Sequence, residues 1–231
     1  LLKELHEVVD ELACDFFGEQ YLRSCLNLLG VLTHDFDITL MNPPYGSGGR
    51  MPNSVQDYVD DHYKYTSEYY INFFEACDRL VKTNGRIGML VPRSFMFLKS
   101  FQDFREDFIG GRGSFDFLTE FGVGILDNAT VRPAGTVVRS GIENKREGTF
   151  IRINDVEKSD KEGSFLHASF VNSVQNGITR RYRRNLSDFE KVPGTPLTYW
   201  IPTEMQQLYE SEAVLDAKNG GVERDSYGTV K

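Results

Sequence analysis

Apolar residues in the first thirty positions recur with a helical rhythm. Leu5, Val8, Val9 and Leu12 form one stripe, and Tyr21, Leu22, Cys25, Leu26 and Leu29 form another, punctuated by Gly18 and Gly30. The rhythm then shortens to a period of two. Phe36, Ile38 and Leu40 share one face of a predicted strand over 36–41. Asn42-Pro43-Pro44-Tyr45 follows at once, and its prolines forbid continuation of the strand. Residues 46–66 show no period. Gly46, Gly48, Gly49, Pro52 and Asn53 predict a long loop, which in a compact domain is usually functional or mobile.

Helical spacing returns over 67–82, where Tyr70, Phe73, Phe74, Cys77, Leu80 and Val81 form an apolar stripe. Ser67 suits its N-cap, and Asn84-Gly85 suits its stop. A strand is predicted over 86–91, ended by Pro92, and then a helix carrying Phe101, Phe104 and Phe108. Further strands are predicted over 115–121, 136–138 and 149–153. The order strand, helix, strand, helix, strand, then strands alone predicts an α/β sheet built by crossovers, with a hairpin at one edge. Ligands of such sheets bind beyond the carboxyl ends of strands, which is where Asn42 stands.

Composition narrows the function classes. The 231 residues carry a net charge of −8, without the overall basic footprint of many nucleic-acid proteins. Charge at a site is local, however, and Arg180-Arg181-Tyr182-Arg183-Arg184 is densely basic. Two readings of that cluster stand side by side: phosphate contacts with Tyr182 interleaved, or a solvated charged turn. No apolar run approaches the ~20 residues that span a bilayer, so no membrane role is expected. The opening Leu1-Leu2-Lys3-Glu4-Leu5 has neither a basic region nor an apolar core of a signal peptide, and the chain is expected to be a piece of a longer protein. Cys14, Cys25 and Cys77, like the scattered His6, His34, His62 and His167, lack metal-ligand spacing. They predict a reducing cytoplasm and no metal site.

The tetrapeptide carries the chemistry. The exocyclic nitrogen of adenine is a poor nucleophile because its lone pair is delocalised into the ring. It bears two protons, so two acceptors can activate it. The Asn42 side-chain oxygen suits one and the Pro43 carbonyl the other, by positioning and electrostatics rather than strong-base catalysis. Proline fixes φ near −65°, lacks an N–H and pushes its predecessor toward extended geometry, so the turn holds its carbonyls stiffly. Tyr45 offers a flat face for stacking. The target atom is buried in a duplex, so the base must flip out, and stacking worth roughly 1–3 kcal/mol offsets part of that cost. The plain alternative is a strand followed by a Pro-Pro turn.

These residues resemble the gamma-type N6-adenine methyltransferases, whose hallmark is a strand followed by Asn-Pro-Pro-Tyr or -Phe. The resemblance continues through 70–77, 79–82, 85–92, Ser94-Phe95 and 101–105. Residues 96–101 and 188–200 are similar, more narrowly, to the methyltransferases of the BREX phage-defence system. The resemblance implies a partial Rossmann-like methyltransferase fold, the C-terminal half of a mixed, mostly parallel sheet with flanking helices. It implies a helical lead-in over 1–33, a catalytic half over 34–155 and an extension over 156–231 toward a target-recognition region. It implies S-adenosylmethionine as methyl donor, double-stranded DNA as substrate and other phage-defence proteins as partners. Asn42 and Pro43 would bind the adenine amine, and Tyr45 would stack, with Pro44 beside them. Phe73 matches an aromatic that packs near S-adenosylmethionine, or is simply a core residue of its helix. The second stacking position should lie between 115–121 and 136–140, where either Phe121 serves or the face is apolar. Arg180, Arg181, Arg183 and Arg184 would meet DNA phosphates on the link toward the recognition region.

The departure is on the cofactor side. The family binds S-adenosylmethionine mainly through a glycine-containing loop after an earlier strand, and no such strand and loop precede Asn42. Gly46-Ser47-Gly48-Gly49 follows the wrong strand and opens no helix. Two alternatives to DNA methylation stay open. Glutamine methyltransferases acting on translation factors also use Asn-Pro-Pro-Tyr, although they lack the continuation through 150–200. A truncated remnant without activity of its own is the other.

Overall fold

The computed structural model describes residues 2–11, 16–46, 51–107, 113–126, 131–141 and 147–206. Leu12, Cys14, Ser47, Gly48, Gly49, Phe108 and the segments 127–130 and 207–231 lie outside them. Two helices lead in, α1 (Leu2–Glu11) and α2 (Phe16–Leu32). Gly18 and Gly30 fall within α2 rather than at helix ends, since the apolar stripe is continuous across them. Strand β1 (Phe36–Met41) follows, as its alternation predicts.

The predicted loop over 46–66 contains a helix, α3 (Asn53–His62), which corrects the reading of that stretch. Pro52 stands at its N-cap with φ −56°, already compatible with helix entry, and Val59 anchors the helix by burial. Val55, Tyr58, Val59 and His62 do have helical spacing, but too few are apolar to stand out among the flanking glycines.

Helix α4 (Tyr69–Leu80) buries Tyr70, Ile71, Phe74 and Cys77, and gives way at once to β2 (Val81–Pro92). Short turns over Arg93–Met96 and Lys99–Phe101 lead to α5 (Gln102–Phe104). Then come β3 (Gly113–Glu120), β4 (Pro133–Ser140) and β5 (Glu147–Arg152). Helix α6 (Lys161–Leu166) continues as a wider turn to Val171. A small hairpin follows, β6 (Val174–Gln175) and β7 (Ile178–Thr179), then β8 (Arg181–Asn185) and a turn over Leu186–Lys191.

Six strands make one sheet in the order β1-β2-β4-β3-β5-β8. The ladders β1–β2 and β3–β5 are parallel, whereas β4 runs against both neighbours and β8 against β5. Four of the six strands therefore share one direction, while three of the five ladders are antiparallel, so the sheet is mixed. The expected edge hairpin is corrected. The strand predicted at 136–138 lies inside the sheet between β2 and β3, and the strand predicted at 149–153 lies on the far side of β3. Small residues make the inner position accessible: a Cβ at Gly135 would approach the Phe121 ring to 2.9 Å.

Strand alternation gives the sheet two unlike faces. One carries Ile87, Met89, Val91, Leu118, Val138 and Phe150 into the main core, against Phe74, Phe95 and Phe104. Leu186, Phe189, Leu197 and Tyr199 enter that same core, and the Tyr199 ring stacks on Phe150 at 4.8 Å. Arg105, 1% exposed, donates to the carbonyls of Phe95 and Leu98 at 2.8 Å and of Gly194 at 2.7 Å. Residues on both sides of 155 thus share one core. The other face is thinner. Leu40 on it is 80% exposed, and its Cδ2 lies 2.4 Å from where a Gly88 Cβ would be, so any larger residue at 88 would displace it.

Candidate active site

Asn42 is the first residue beyond β1, beside the end of β2, and its side chain is exposed. Pro43 is buried and Pro44 exposed. Three anchors shape this turn. The Tyr45 hydroxyl donates to the Leu90 carbonyl at 3.1 Å, with the Asn42 Oδ1 a weaker 3.4 Å away. The Tyr45 ring meets the Tyr70 ring edge to face at 6.5 Å. The Gly46 carbonyl accepts from the Tyr69 N–H at 3.0 Å, which ties the turn to the start of α4. Burial raises the Tyr45 phenol above its ordinary value of 10.0, so it stays a neutral donor near pH 7.

A cleft of about 530 Å³ opens from Asn42 across the thin face of the sheet. Leu40, Gly88, Leu90 and Val137 line it, and Phe121 and Phe165 close it on the β3 side. Glycines at 88 and 135 keep its floor low. The structure therefore brings Asn42 and Phe121 into one cavity. Asn42, Thr119 and Thr136 supply its polar side chains, and Thr136 Oγ1 is spent on the Met89 carbonyl at 3.3 Å. Such a cavity suits a flat, mostly apolar ring with one polar edge.

Other predicted residues lie elsewhere. Phe73 packs half-buried against the main core and does not line the cleft. The basic cluster is corrected from a linking turn to strand β8, with Arg180 just before it. β8 lies at the opposite edge of the sheet from β1. Five strand spacings at about 4.8 Å put it roughly 24 Å from Asn42. Arg180 is 8% exposed and ion-paired with Asp155, so it has no free face for a phosphate. Burial alone would raise the Asp155 carboxyl, but its bonds from Arg180 outweigh that and hold it below its ordinary 3.8. Arg181 donates to the Ser169 carbonyl at 2.8 Å, and Arg184 lies over the Tyr182 ring at 5.8 Å. Arg183 is 69% exposed beside Glu147, 3.3 Å away. Of the four, Arg183 is the most available.

Residues not singled out by sequence surround the end of β3. Glu120, fully buried, accepts from Arg93 and from the Tyr199 hydroxyl, each at 2.5 Å. Lys161, 4% exposed, donates to the Phe121 carbonyl at 2.6 Å and the Ile153 carbonyl at 3.2 Å. These are ordinary charged residues in the sequence, and no spacing marks them.

The cleft does not by itself fit S-adenosylmethionine. That group needs a carboxylate for its ribose hydroxyls and partners for its charged amino-acid end. No acidic or basic side chain is among the described lining residues.

Residues 11–121 match the family model of the Eco57I restriction-modification methylase. The matched stretch makes up just under half of the chain. It holds Asn42, Tyr45, Phe73 and Phe121, whereas Lys161, the basic cluster and Tyr199 lie beyond it. Among curated proteins, the chain is 26% identical over 230 residues to the adenine-specific methyltransferase PglX of Lacticaseibacillus casei (strain Zhang), covering 94% of the chain and 18% of that protein. It is 24% identical over 176 residues to the adenine-specific methyltransferase BrxX of Escherichia coli O9:H4 (strain HS), covering 74% of the chain and 14% of that protein. The chain thus spans under a fifth of these relatives' length. Among solved structures, it is similar to a nuclease-deletion mutant of the Type ISP restriction-modification enzyme LlaGI, solved with a DNA substrate mimic. The TM-score is 0.54 at 14% identity, over 91% of this chain and 18% of that one. A type I restriction-modification structure gives 0.53 at 16% identity, over 74% and 38%. These likenesses establish the fold.

Proposed function

We propose that this chain supplies the base-binding side of a DNA adenine-N6 methyltransferase acting in restriction-modification or phage defence. The observation that carries the reading is the shared cleft. An exposed carboxamide stands at the carboxyl end of β1 and an aromatic ring closes the other side, with an apolar floor between. The adenine-specific activity named for both curated relatives favours DNA over a protein glutamine substrate.

In this reading the adenine flips out of the duplex and enters the cleft. Its amine donates one proton to Asn42 Oδ1 and the other to the Pro43 carbonyl. Both acceptors draw electron density onto nitrogen and aim its lone pair outward. Tyr45 and Phe121 hold the ring. The Tyr45 hydroxyl bond to Leu90 restrains that ring before substrate arrives, which lowers the entropic cost of stacking. S-adenosylmethionine is the methyl donor, and the charged groups it needs are not among the described lining residues of this cleft. Arg183 contacts a distant phosphate, and other phage-defence proteins are partners.

The test is Asn42→Ala in the full-length protein. Methyl transfer to N6 should fall by about 10²–10³ while S-adenosylmethionine still binds, as read by calorimetry. Undiminished N6-methyladenine in cells carrying only that variant overturns the assignment.

A further inference from the structure

Phe121 sits at an unusually constrained corner. Its N–H donates to the Pro133 carbonyl at 3.1 Å. Gly122 follows with φ +74°, and a Cβ there would lie 2.4 Å from the Asn154 carbonyl oxygen, so the chain must turn at that point. Glu120, just before, points to the opposite face of the sheet and is held there by Arg93 and Tyr199.

Helix α6 completes the corner with two residues one turn apart. Phe165 packs its ring on Phe117 and on Phe121, each at 6.2 Å. Lys161 reaches under the strand ends and donates to the carbonyls of Phe121 and Ile153. The Ile153 N–H in turn donates to the Glu120 carbonyl at 3.0 Å, so the ammonium spans the ends of two adjacent parallel strands. Burial lowers the Lys161 ammonium below its ordinary value, and the nearby carboxylates of Asp155 and Glu157 offset part of that. A buried cation is costly to keep at a strand end that a neutral group could cap.

What distinguishes this strand end is its neighbour. The carbonyl that Lys161 grips belongs to the residue whose ring closes the cleft opposite Asn42. A shift of that carbonyl moves the Cα that carries the ring, because the N–H on the other side of that Cα is held by the Pro133 carbonyl at 3.1 Å.

We propose that Lys161 is a positioning residue of the cleft: it fixes the Phe121 carbonyl, and through it the angle at which the Phe121 ring meets the flipped base. The role rests on the reading of this cleft as the adenine pocket. It gives the segment after β5, outside the matched methylase stretch, a part in base binding.

The test is a double-mutant cycle in the full-length protein, with Lys161→Met, Phe121→Ala and the double variant. The readouts are kcat and KM for DNA, and the fluorescence of 2-aminopurine at the target position, which brightens when the base leaves the stack. Lys161→Met is expected to lower kcat roughly tenfold, the scale of a modest misplacement, and to change the 2-aminopurine signal. Binding of S-adenosylmethionine should be unaltered. In the Phe121→Ala background the same substitution should cost nothing further, because its effect runs through the missing ring. Lys161→Arg should restore much of the activity. Where Lys161→Met does not fold, the cycle is run with Lys161→Gln against Phe121→Ala, a shorter neutral side chain that still loses the grip on the carbonyl, and non-additivity is read in the same way. Additive losses overturn the positioning role and leave the adenine pocket standing. Unchanged activity and fluorescence in Phe121→Ala remove Phe121 from the pocket, and Lys161 with it.

Discussion

The tetrapeptide at 42–45 and the basic cluster at 180–184 are equally conspicuous in the sequence, and the fold treats them in opposite ways. At the first, the polar groups are left available. Asn42 is exposed, and the anchoring bonds are made by Tyr45 and Gly46 around it. At the second, most of the polar capacity is spent internally. Arg180 is buried on Asp155, and Arg181 is bonded to the Ser169 carbonyl. A motif offers chemistry only where the backbone around it meets its own hydrogen-bonding needs by other means. Pro43 and Pro44 lack N–H groups to satisfy, so the turn leaves its side chain free. β8 is an edge strand whose arginines stabilise the chain beside it.

Four predictions probe this contrast, and the largest concerns the available group. Asn42→Ala should lower methyl transfer by about 10²–10³, the usual effect of removing a preorganised polar contact to the reacting atoms. It should leave the melting temperature nearly unchanged. A large loss of stability would mean that Asn42 is structural after all. Arg180→Met should do the reverse. Urea titration should show a loss of roughly 1–2 kcal/mol, discounted because Asp155 is half exposed. DNA affinity of the folded protein should stay as it was, and a selective loss of DNA binding would return Arg180 to the substrate side.

Arg183→Ala should change stability by less than about 0.5 kcal/mol. If Arg183 meets a phosphate, the salt dependence of DNA binding should become shallower by about one unit of slope. An unaltered slope would strip the cluster of its last DNA contact. The smallest expected effect is on acid stability. The Asp155 carboxyl titrates below its ordinary 3.8, so its contribution is present above that value and lost as pH falls through the lowered one. Arg180→Met should therefore blunt the acid limb of a stability profile, and an identical limb would argue that the pair is not formed in solution.

Legibility followed the range of the forces involved. β1 and α4 were predicted close to their observed limits because strand alternation and helical stripes are local, whereas β2 begins five residues before its predicted start, in the stretch read as the helix's end and stop. Helix α3 was hidden because its stripe is short and the glycines and prolines before it dominate. The position of β4 between β2 and β3 was not readable, since adjacency along the chain accounts for its pairing with β3 but not with β2, and the small residues that admit it carry no pattern of their own. Asn42 was legible because a strand ending in two prolines is rare and chemically apt. Phe121 stood open as a base-facing residue until the fold placed it across the same cleft.

By itself, then, the sequence determined the tetrapeptide, its chemistry and the strand that presents it, all within a few residues of one another. Only the tertiary structure decided what faces Asn42, which arginines are spent, and that Lys161 and Tyr199 reach back to the end of β3. Those relations join residues from 12 positions apart, for Arg181 and Ser169, to 123, for Asn42 and Phe165. They depend on which strand lies beside which and on which charges lose their water, and no local pattern records either.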